Sequence, residues 1–99
     1  MFLQSVMATK DNELQYLALK SMFDSNNIKK MRDIEKLYPT MIATDMGMNH
    51  GRYIKKIHNP EEFTIKEICK LASLLQISPS IITNIILAEL SSRPKRGMK

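Results

Sequence analysis

The chain has little of what several protein classes require. It contains one cysteine, Cys69, so no disulfide can form within it, which fits a reducing cytosol. Tryptophan is absent and aromatic residues make up only 6% of the chain, so the core must be aliphatic and rich in methionine. No apolar run approaches the length of a membrane span, and the N-terminus lacks the pattern of a signal peptide. We therefore expect a cytoplasmic protein with no membrane partner.

Motifs for catalysis and metal binding are also missing. His50 and His58 lie eight residues apart, and neither has a cysteine or a second histidine at ligand spacing. Asp45 and the pair Glu61 and Glu62 are more typical of surface charges than of catalytic acids. The sequence has no Ser-His-Asp set and no glycine-rich phosphate loop. We expect neither an enzyme nor a protein that holds a metal or a small-molecule cofactor.

The net charge of +5 is unevenly placed along the chain. Residues 1–92 hold 11 basic and 10 acidic residues, and the other four basic residues fall in the tail of residues 91–99. They are Arg93, Lys95, Arg96 and Lys99. This tail would either attract nucleic acid non-specifically or form a solvated end. Because the body is nearly neutral, the local distribution of charge is more informative about nucleic acid than the total.

The pattern of apolar residues is helical throughout, and no segment alternates as a half-buried strand would. We predict an all-α, five-helix domain over residues 11–90, preceded by a flexible arm at residues 1–10. A helix over residues 11–24 would bury one face, formed by Leu14, Leu17, Ala18 and Met22. A second helix would begin near residue 28 and end before Pro39, with an apolar stripe of Ile28, Met31, Ile34 and Leu37.

Two later helices have clear start signals. Thr64 and Glu67 form a capping box, and Ser78 before Pro79 is a cap followed by proline at the first helical position. The first of these helices would bury Ile65, Ile68, Cys69, Leu71, Ala72 and Leu75. The second has an apolar stripe that is wider than packing against one core requires. This excess predicts a partner surface and, most simply, a homodimer. Its candidate interface residues are Ile82, Ile86, Leu87 and Leu90.

Residues 40–58 are the most informative segment for function. A short helix ends at Gly47, Asn49 can cap the next helix, and no acidic residue lies between Met46 and Pro60. Two short helices joined by a tight turn with glycine form the helix-turn-helix pattern, whose second helix enters the major groove in DNA-binding proteins. The plain alternative is a tight turn in an all-α protein that binds no DNA, with the basic residues on a solvated helix face.

The types of side chain on this second helix indicate separate roles in binding DNA. The candidates for base contacts are Asn49, His50 and Arg52. Arg52 is the best of them, because its planar fork matches the edge of guanine. The candidates for phosphate contacts are Thr40, Lys55, Lys56 and Asn59.

Two segments, IKKMRDIEKLYPTMIATDMG at 28–47 and FTIKEICKLASLLQIS at 63–78, resemble the lambda-repressor-like (Cro and repressor type) DNA-binding domain. This resemblance implies a sequence-specific bacterial transcriptional regulator, associated with the nucleoid and often dimeric, that binds double-stranded DNA. It places the helix of residues 11–24 outside the family core, and Gln76 stands where the family often has glycine. The rival interpretation is a protein-interaction module with the same fold, such as an antitoxin-like partner.

The family pattern leaves two registers open for the second helix of the motif. Either Tyr53 and Ile57 are buried, or the turn is one residue longer and Ile54 and Ile57 are buried. The choice decides which side chains face DNA.

Overall fold

The protein is all-helical, as the sequence predicts. The computed structural model describes the backbone of residues 2–92 and the side chains of residues 12–92. It has five α-helices, α1 (Phe2–Asp24), α2 (Pro39–Met46), α3 (His50–His58), α4 (Ile65–Leu75) and α5 (Pro79–Ser92). Two 3-10 turns, Met31–Ile34 and Pro60–Glu62, lie in the connections, and residues 2–92 contain no strand. None of the helices in this part of the chain is long and apolar enough to cross a bilayer.

Helix α1 begins earlier than predicted and presents a different face to the core. It starts at Phe2, so residues 2–10 are helical where a flexible arm was expected. The predicted buried face is wrong, because Leu14 and Leu17 are 68% and 50% exposed. The buried residues are Tyr16, Leu19 and Phe23. Two aromatic rings and a leucine bury more apolar area than the aliphatic face does, which decides the rotation.

The helix predicted over residues 28–37 is absent, and the segment holds only the 3-10 turn Met31–Ile34. Its apolar pattern is real, because Met31 and Ile34 are both fully buried. The backbone groups, however, find other partners. Asp33 Oδ2 accepts hydrogen bonds from the N–H groups of Lys29 and Lys30, at 2.8 and 3.1 Å. The bond from the N–H of Lys30, the residue that precedes the turn, caps the start of the turn. The first helix of the five is therefore α1, which packs against α4 and belongs to the core.

The starts of α4 and α5 agree with the capping signals. Thr64 Oγ1 accepts from the N–H of Glu67, and Glu67 Oε1 accepts from the N–H of Thr64, both at 3.0 Å. Helix α5 begins at Pro79. Two residues predicted to be buried in α4 lie on its outer side instead, because Ile65 is 73% exposed and Cys69 is also exposed. The core face of α4 is Ile68, Leu71, Ala72 and Leu75.

Candidate nucleic-acid interface

Helices α2 and α3 are joined by three residues whose backbone depends on glycine. Gly47 has φ of 77°, in the left-handed region where a residue with a side chain is strained. The N–H of Met48 donates to the carbonyl of Ala43 at 3.0 Å, which closes the end of α2. A Cβ added at Gly47 would meet nothing within 4 Å, so backbone conformation alone explains the glycine.

Asn49 starts α3 as the sequence predicts. Its Oδ1 accepts a hydrogen bond from the N–H of Arg52 at 2.7 Å, which satisfies one of the free backbone donors in the first turn. This bond uses one of the two lone pairs of the side-chain oxygen and fixes the direction of the amide. The second lone pair and the amide nitrogen of Asn49 are the groups that the side chain can still offer to a ligand.

The structure decides which side of α3 is buried. Tyr53 and Ile57 are fully buried, while Ile54 is half-buried, so the first of the two registers is the correct one. The opposite side, which we call the open face, consists of Gly51, Arg52 and Lys55, and His50 lies at the leading end of the helix. All of these residues are exposed, and Arg52 and Lys55 form no ion pair with the described residues.

Lys56 is a correction to the predicted interface, since it faces the protein interior. The residue is only 7% exposed. Its Nζ lies 2.8 Å from Glu67 Oε1 and donates a second hydrogen bond to the carbonyl of Glu62 at 3.1 Å. A lysine held in this way cannot reach a phosphate. Its position gave a signal, because Lys56 follows Tyr53 by three residues and so falls on the buried stripe of α3.

Glu67 is charged in this contact. Burial raises the pKa of Glu67, but the hydrogen bonds from Lys56 and from the N–H of Thr64, with the charges of Lys56 and Arg52, outweigh it. The pKa therefore lies below its ordinary value of 4.5. At neutral pH the pair is a lysine–carboxylate ion pair that joins α3 to the first turn of α4.

The other edge of α3 is held by a second contact across the fold. His58 Nε2 lies 3.0 Å from Glu35 Oε2, in the loop that follows the 31–34 turn. At about 100° per residue, His58 falls on the side of α3 away from Lys56, with the open face between them. Helix α3 is thus fixed along one edge by Lys56 and along the other by His58, and the open face between them stays accessible.

The two remaining phosphate candidates differ in their surroundings. Thr40 is exposed in the first turn of α2. Asn59 is half-buried, and its Nδ2 donates to the carbonyl of Lys55 at 3.0 Å. This side chain therefore caps the end of α3, and Thr40 is the better placed of the two to meet a ligand.

Asp45, near the end of α2, is directed toward α1. Its Oδ2 accepts hydrogen bonds from Tyr16 Oη at 2.6 Å and from Asn12 Nδ2 at 3.1 Å. Burial and this hydrogen bond raise the pKa of Tyr16 well above its ordinary range. The contact fixes α1 to the helix that precedes the turn, so α1 supports the orientation of α2 and α3.

The predicted dimer residues separate into two groups in α5. Ile82 and Ile86 are 0% and 6% exposed in the single chain, so their assignment to a dimer interface is wrong. Leu87 is 55% exposed, and Leu90 is half-buried. The apolar width of α5 is therefore explained in part by the chain's own core.

Within residues 12–92, no group of three or more histidine, cysteine or acidic side chains could hold a metal ion. The basic tail of residues 93–99 lies outside the described residues. No protein-family model matches this chain, and comparisons with curated proteins and with solved structures find no match.

Proposed function

We propose that this protein is a sequence-specific transcriptional regulator that binds double-stranded DNA by placing α3 in the major groove. The observation that carries the proposal is the rotation of α3. Tyr53 and Ile57 point into the core, and the open face presents Arg52 and Lys55 without an ion-pair partner among the described residues. A helix of this size, exposed on one face with basic side chains, fits the width of the groove.

The open face supplies the groups that DNA recognition needs. Arg52 can donate two parallel hydrogen bonds to the O6 and N7 atoms of guanine, while Lys55 suits a phosphate. Gly51 has no side chain between the backbone and an approaching base pair. His50 and the amide nitrogen of Asn49 lie at the leading end of α3 and are further base-reading candidates. The exposed Thr40 would contact a phosphate from α2.

The arrangement of elements also supports the proposal. Helices α2 and α3 are joined by a three-residue turn, as the resemblance to lambda-repressor-like proteins implies, within a domain of five helices. The first helix of the five is α1 rather than the segment at residues 28–37. Fold alone does not determine function, so the proposal depends on the chemistry of the open face.

Selection of bound sequences from a random pool of double-stranded DNA tests this function directly. We expect an enriched motif, whose binding weakens with increasing salt. Arg52→Ala should relax the preference at one base pair and cost about 1–3 kcal/mol in binding. Lys55→Ala should lower the slope of log affinity against log salt by about 0.9. The control is Lys70→Ala, which removes an exposed charge from the outer side of α4. Unchanged binding by the Arg52 and Lys55 variants would show that α3 is not the recognition helix.

We also propose that the protein binds DNA as a homodimer through the outer face of α5. The exposed residues of this helix carry no charge, since its one charged residue, Glu89, is 4% exposed. Leu87 is the large apolar side chain exposed on that face, which it shares with the exposed residues Asn84, Ala88 and Ser91. A two-fold dimer would place two copies of α3 about one turn of DNA, or roughly 34 Å, apart. A two-fold symmetric motif among the sequences selected from the random pool would support this dimer.

The same uncharged face favours a second candidate, a protein-interaction module that pairs with a different protein. Antitoxin-like pairing is one form of this function. The body of the chain is nearly neutral, and the exposed Leu14 and Leu17 on α1 add apolar surface. Co-purification of a stoichiometric protein partner, without a salt-dependent shift of DNA, would favour this candidate over the first.

A further inference from the structure

The loop between α1 and α2 carries a second group of basic side chains, which we call the basic loop. It spans residues 29–36 and includes the 31–34 turn. Four of its eight residues are basic and exposed: Lys29, Lys30, Arg32 and Lys36. None of them forms an ion pair with the described residues. The sequence did not indicate a binding role for these four residues, because basic residues at these positions are also expected on the solvated side of a helix.

The two acidic residues of the basic loop are engaged in structural contacts. Asp33 Oδ2 accepts hydrogen bonds from the backbone N–H groups of Lys29 and Lys30. Glu35 Oε2 lies 3.0 Å from His58 Nε2 at the end of α3. Both carboxylates are therefore turned toward the backbone or a neighbouring helix, and the four basic side chains are directed to solvent. With four basic and two acidic residues, the loop has a net charge of +2, and all four of its cations are exposed.

The basic loop is also firmly held in place. Met31 and Ile34 are fully buried and anchor the turn in the core. The carboxylate of Glu89, buried in α5, accepts a hydrogen bond from the N–H of Met31 at 3.2 Å. Because the backbone is fixed by these contacts, the basic side chains extend from an ordered scaffold. Binding a ligand there would not require the loop itself to become ordered.

The position of the basic loop relates it to the open face. The contact between Glu35 and His58 brings the loop to one edge of α3, opposite the edge held by Lys56. The loop then leads directly into α2, whose first turn carries the exposed Thr40. The basic loop therefore contacts the edge of α3 that borders the open face, and the four basic side chains of the same loop are exposed. On the other edge, the Lys56 charge is neutralised by Glu67.

We propose that the basic loop is a second phosphate-binding surface, which contacts the DNA backbone alongside the groove that receives α3. This inference rests on the proposed function and identifies how a nearly neutral domain could hold DNA. Phosphate contacts fix the register of a protein on the duplex without reading its sequence. The basic loop sets the position of α3 in the groove, and the open face reads the bases.

A salt series between about 50 and 200 mM on a short double-stranded DNA from the selected pool tests this inference. The double variants are Lys29→Gln with Lys30→Gln, and Arg32→Gln with Lys36→Gln. The slope of log affinity against log salt should fall by about 0.9 for each phosphate that a variant no longer neutralises, and by about 1.8 where both replaced side chains bind phosphates. The matched control, Lys20→Gln with Lys70→Gln, removes two charges from α1 and α4 and should leave the slope unchanged. Urea unfolding of each variant checks that the fold is retained.

The outcomes separate this inference from the function on which it rests. If Arg52→Ala weakens binding while both loop variants keep the slope of the unmodified protein, the loop inference is overturned and the function stands. An equal drop in slope for the control variant would also overturn it, because the effect would then reflect net charge alone. If the unmodified protein shows no salt-dependent binding, both proposals fail. A reduced slope with the enriched base preference retained is the result that supports the loop as a positioning surface.

Discussion

Lys56 Nζ lies 2.8 Å from Glu67 Oε1, and this contact fixes α3 against the first turn of α4. Glu67 also closes the capping box with Thr64, so one carboxylate both begins α4 and holds the neighbouring helix. The basic side chains of α3 therefore have different roles. Lys56 stabilises the orientation of the helix, while Arg52 and Lys55 are free to meet a ligand.

Replacing Lys56 by methionine should destabilise the fold. The substitution keeps an unbranched side chain up to the ε carbon but leaves the half-buried Glu67 without its cation, which we expect to cost about 2 kcal/mol in the free energy of unfolding. Urea unfolding at neutral pH measures the change. Lys55→Met is the matched control on the exposed side of the same helix, and its effect should stay within about 0.5 kcal/mol. Equal effects of the two substitutions would contradict the assignment of Lys56 as the structural lysine.

The contribution of Glu67 to stability should depend on pH with a defined sign. Because the pKa of Glu67 is lowered in the folded protein, the stabilisation is complete above its ordinary value of 4.5 and is lost as the pH falls through the folded-state pKa. The difference in unfolding free energy between the unmodified protein and Glu67→Gln should therefore shrink in acid. Unfolding in urea from about pH 7 to about pH 3 measures this difference. Glu13→Gln, on the exposed side of α1, is the control that makes the same change of side chain away from this contact.

Removing the hydroxyl group from the two buried tyrosines, Tyr16 and Tyr53, should have different effects on the free energy of unfolding. Tyr53 is fully buried, and its hydroxyl has no hydrogen-bond partner among the described residues, so Tyr53→Phe should be neutral or stabilise by up to about 1 kcal/mol. Tyr16 donates to Asp45 at 2.6 Å, so Tyr16→Phe should destabilise by about 1–2 kcal/mol. Thermal and urea unfolding of both variants give the comparison. A clear loss of stability in Tyr53→Phe would mean that its hydroxyl has a partner.

Helices α2 and α4 both end at a residue with left-handed backbone, and substitutions there test whether glycine is favoured in this conformation. Gly47 and Gln76 have φ of 77° and 58°, and both end their helices. Gly47→Ala should cost about 1 kcal/mol, because alanine is strained in this conformation. Gln76→Gly should stabilise by about 0.5 kcal/mol, since relief of strain exceeds the entropy that glycine adds to the unfolded chain. Opposite signs in urea unfolding are expected, and matching signs would contradict the explanation.

Substitutions on the two faces of α5 should have different effects, one on the stability of the fold and the other on association. Ile86→Ala opens a cavity in the core and should lower the free energy of unfolding by about 2–4 kcal/mol. Leu87→Ala should change the stability of the monomer by less than about 0.5 kcal/mol, because this side chain is already exposed. If the outer face of α5 joins two copies, Leu87→Glu should shift sedimentation toward the monomer. A dimer unaffected by Leu87→Glu would place the interface elsewhere.

The helix ends that the sequence predicts well are those set by neighbouring residues. Thr64 with Glu67, Pro79, Gly47 and Asn49 each act within one turn of the chain, so their types and spacing were sufficient. The prediction of a helix at residues 28–37 is wrong because apolar residues three positions apart fit both an α-helix and a 3-10 turn that is buried at two positions. In this segment Asp33 caps the start of the turn, and Met31 and Ile34 anchor the turn in the core.

The candidate interface was predictable in outline but not in its members. The sequence indicated Arg52 and Lys55 correctly as exposed cations, and included Lys56 because a lysine is normally solvated. Only the distant partner Glu67 could show that Lys56 is buried. The basic loop was missed for a related reason, since its closeness to α3 depends on a contact between Glu35 and His58 that joins separate parts of the chain.

The sequence by itself determined the class of fold, the positions of the capped helix ends and the tight turn at Gly47, because these depend on local backbone chemistry. The tertiary structure alone decided the rotation of α1 and α3, the burial of Lys56 and the separation of α5 into a core face and an outer face. Rotation of a helix depends on which side chains bury the most apolar area against elements far away in the chain. For this reason the open face of α3 became defined only when Tyr53 and Ile57 were seen in the core.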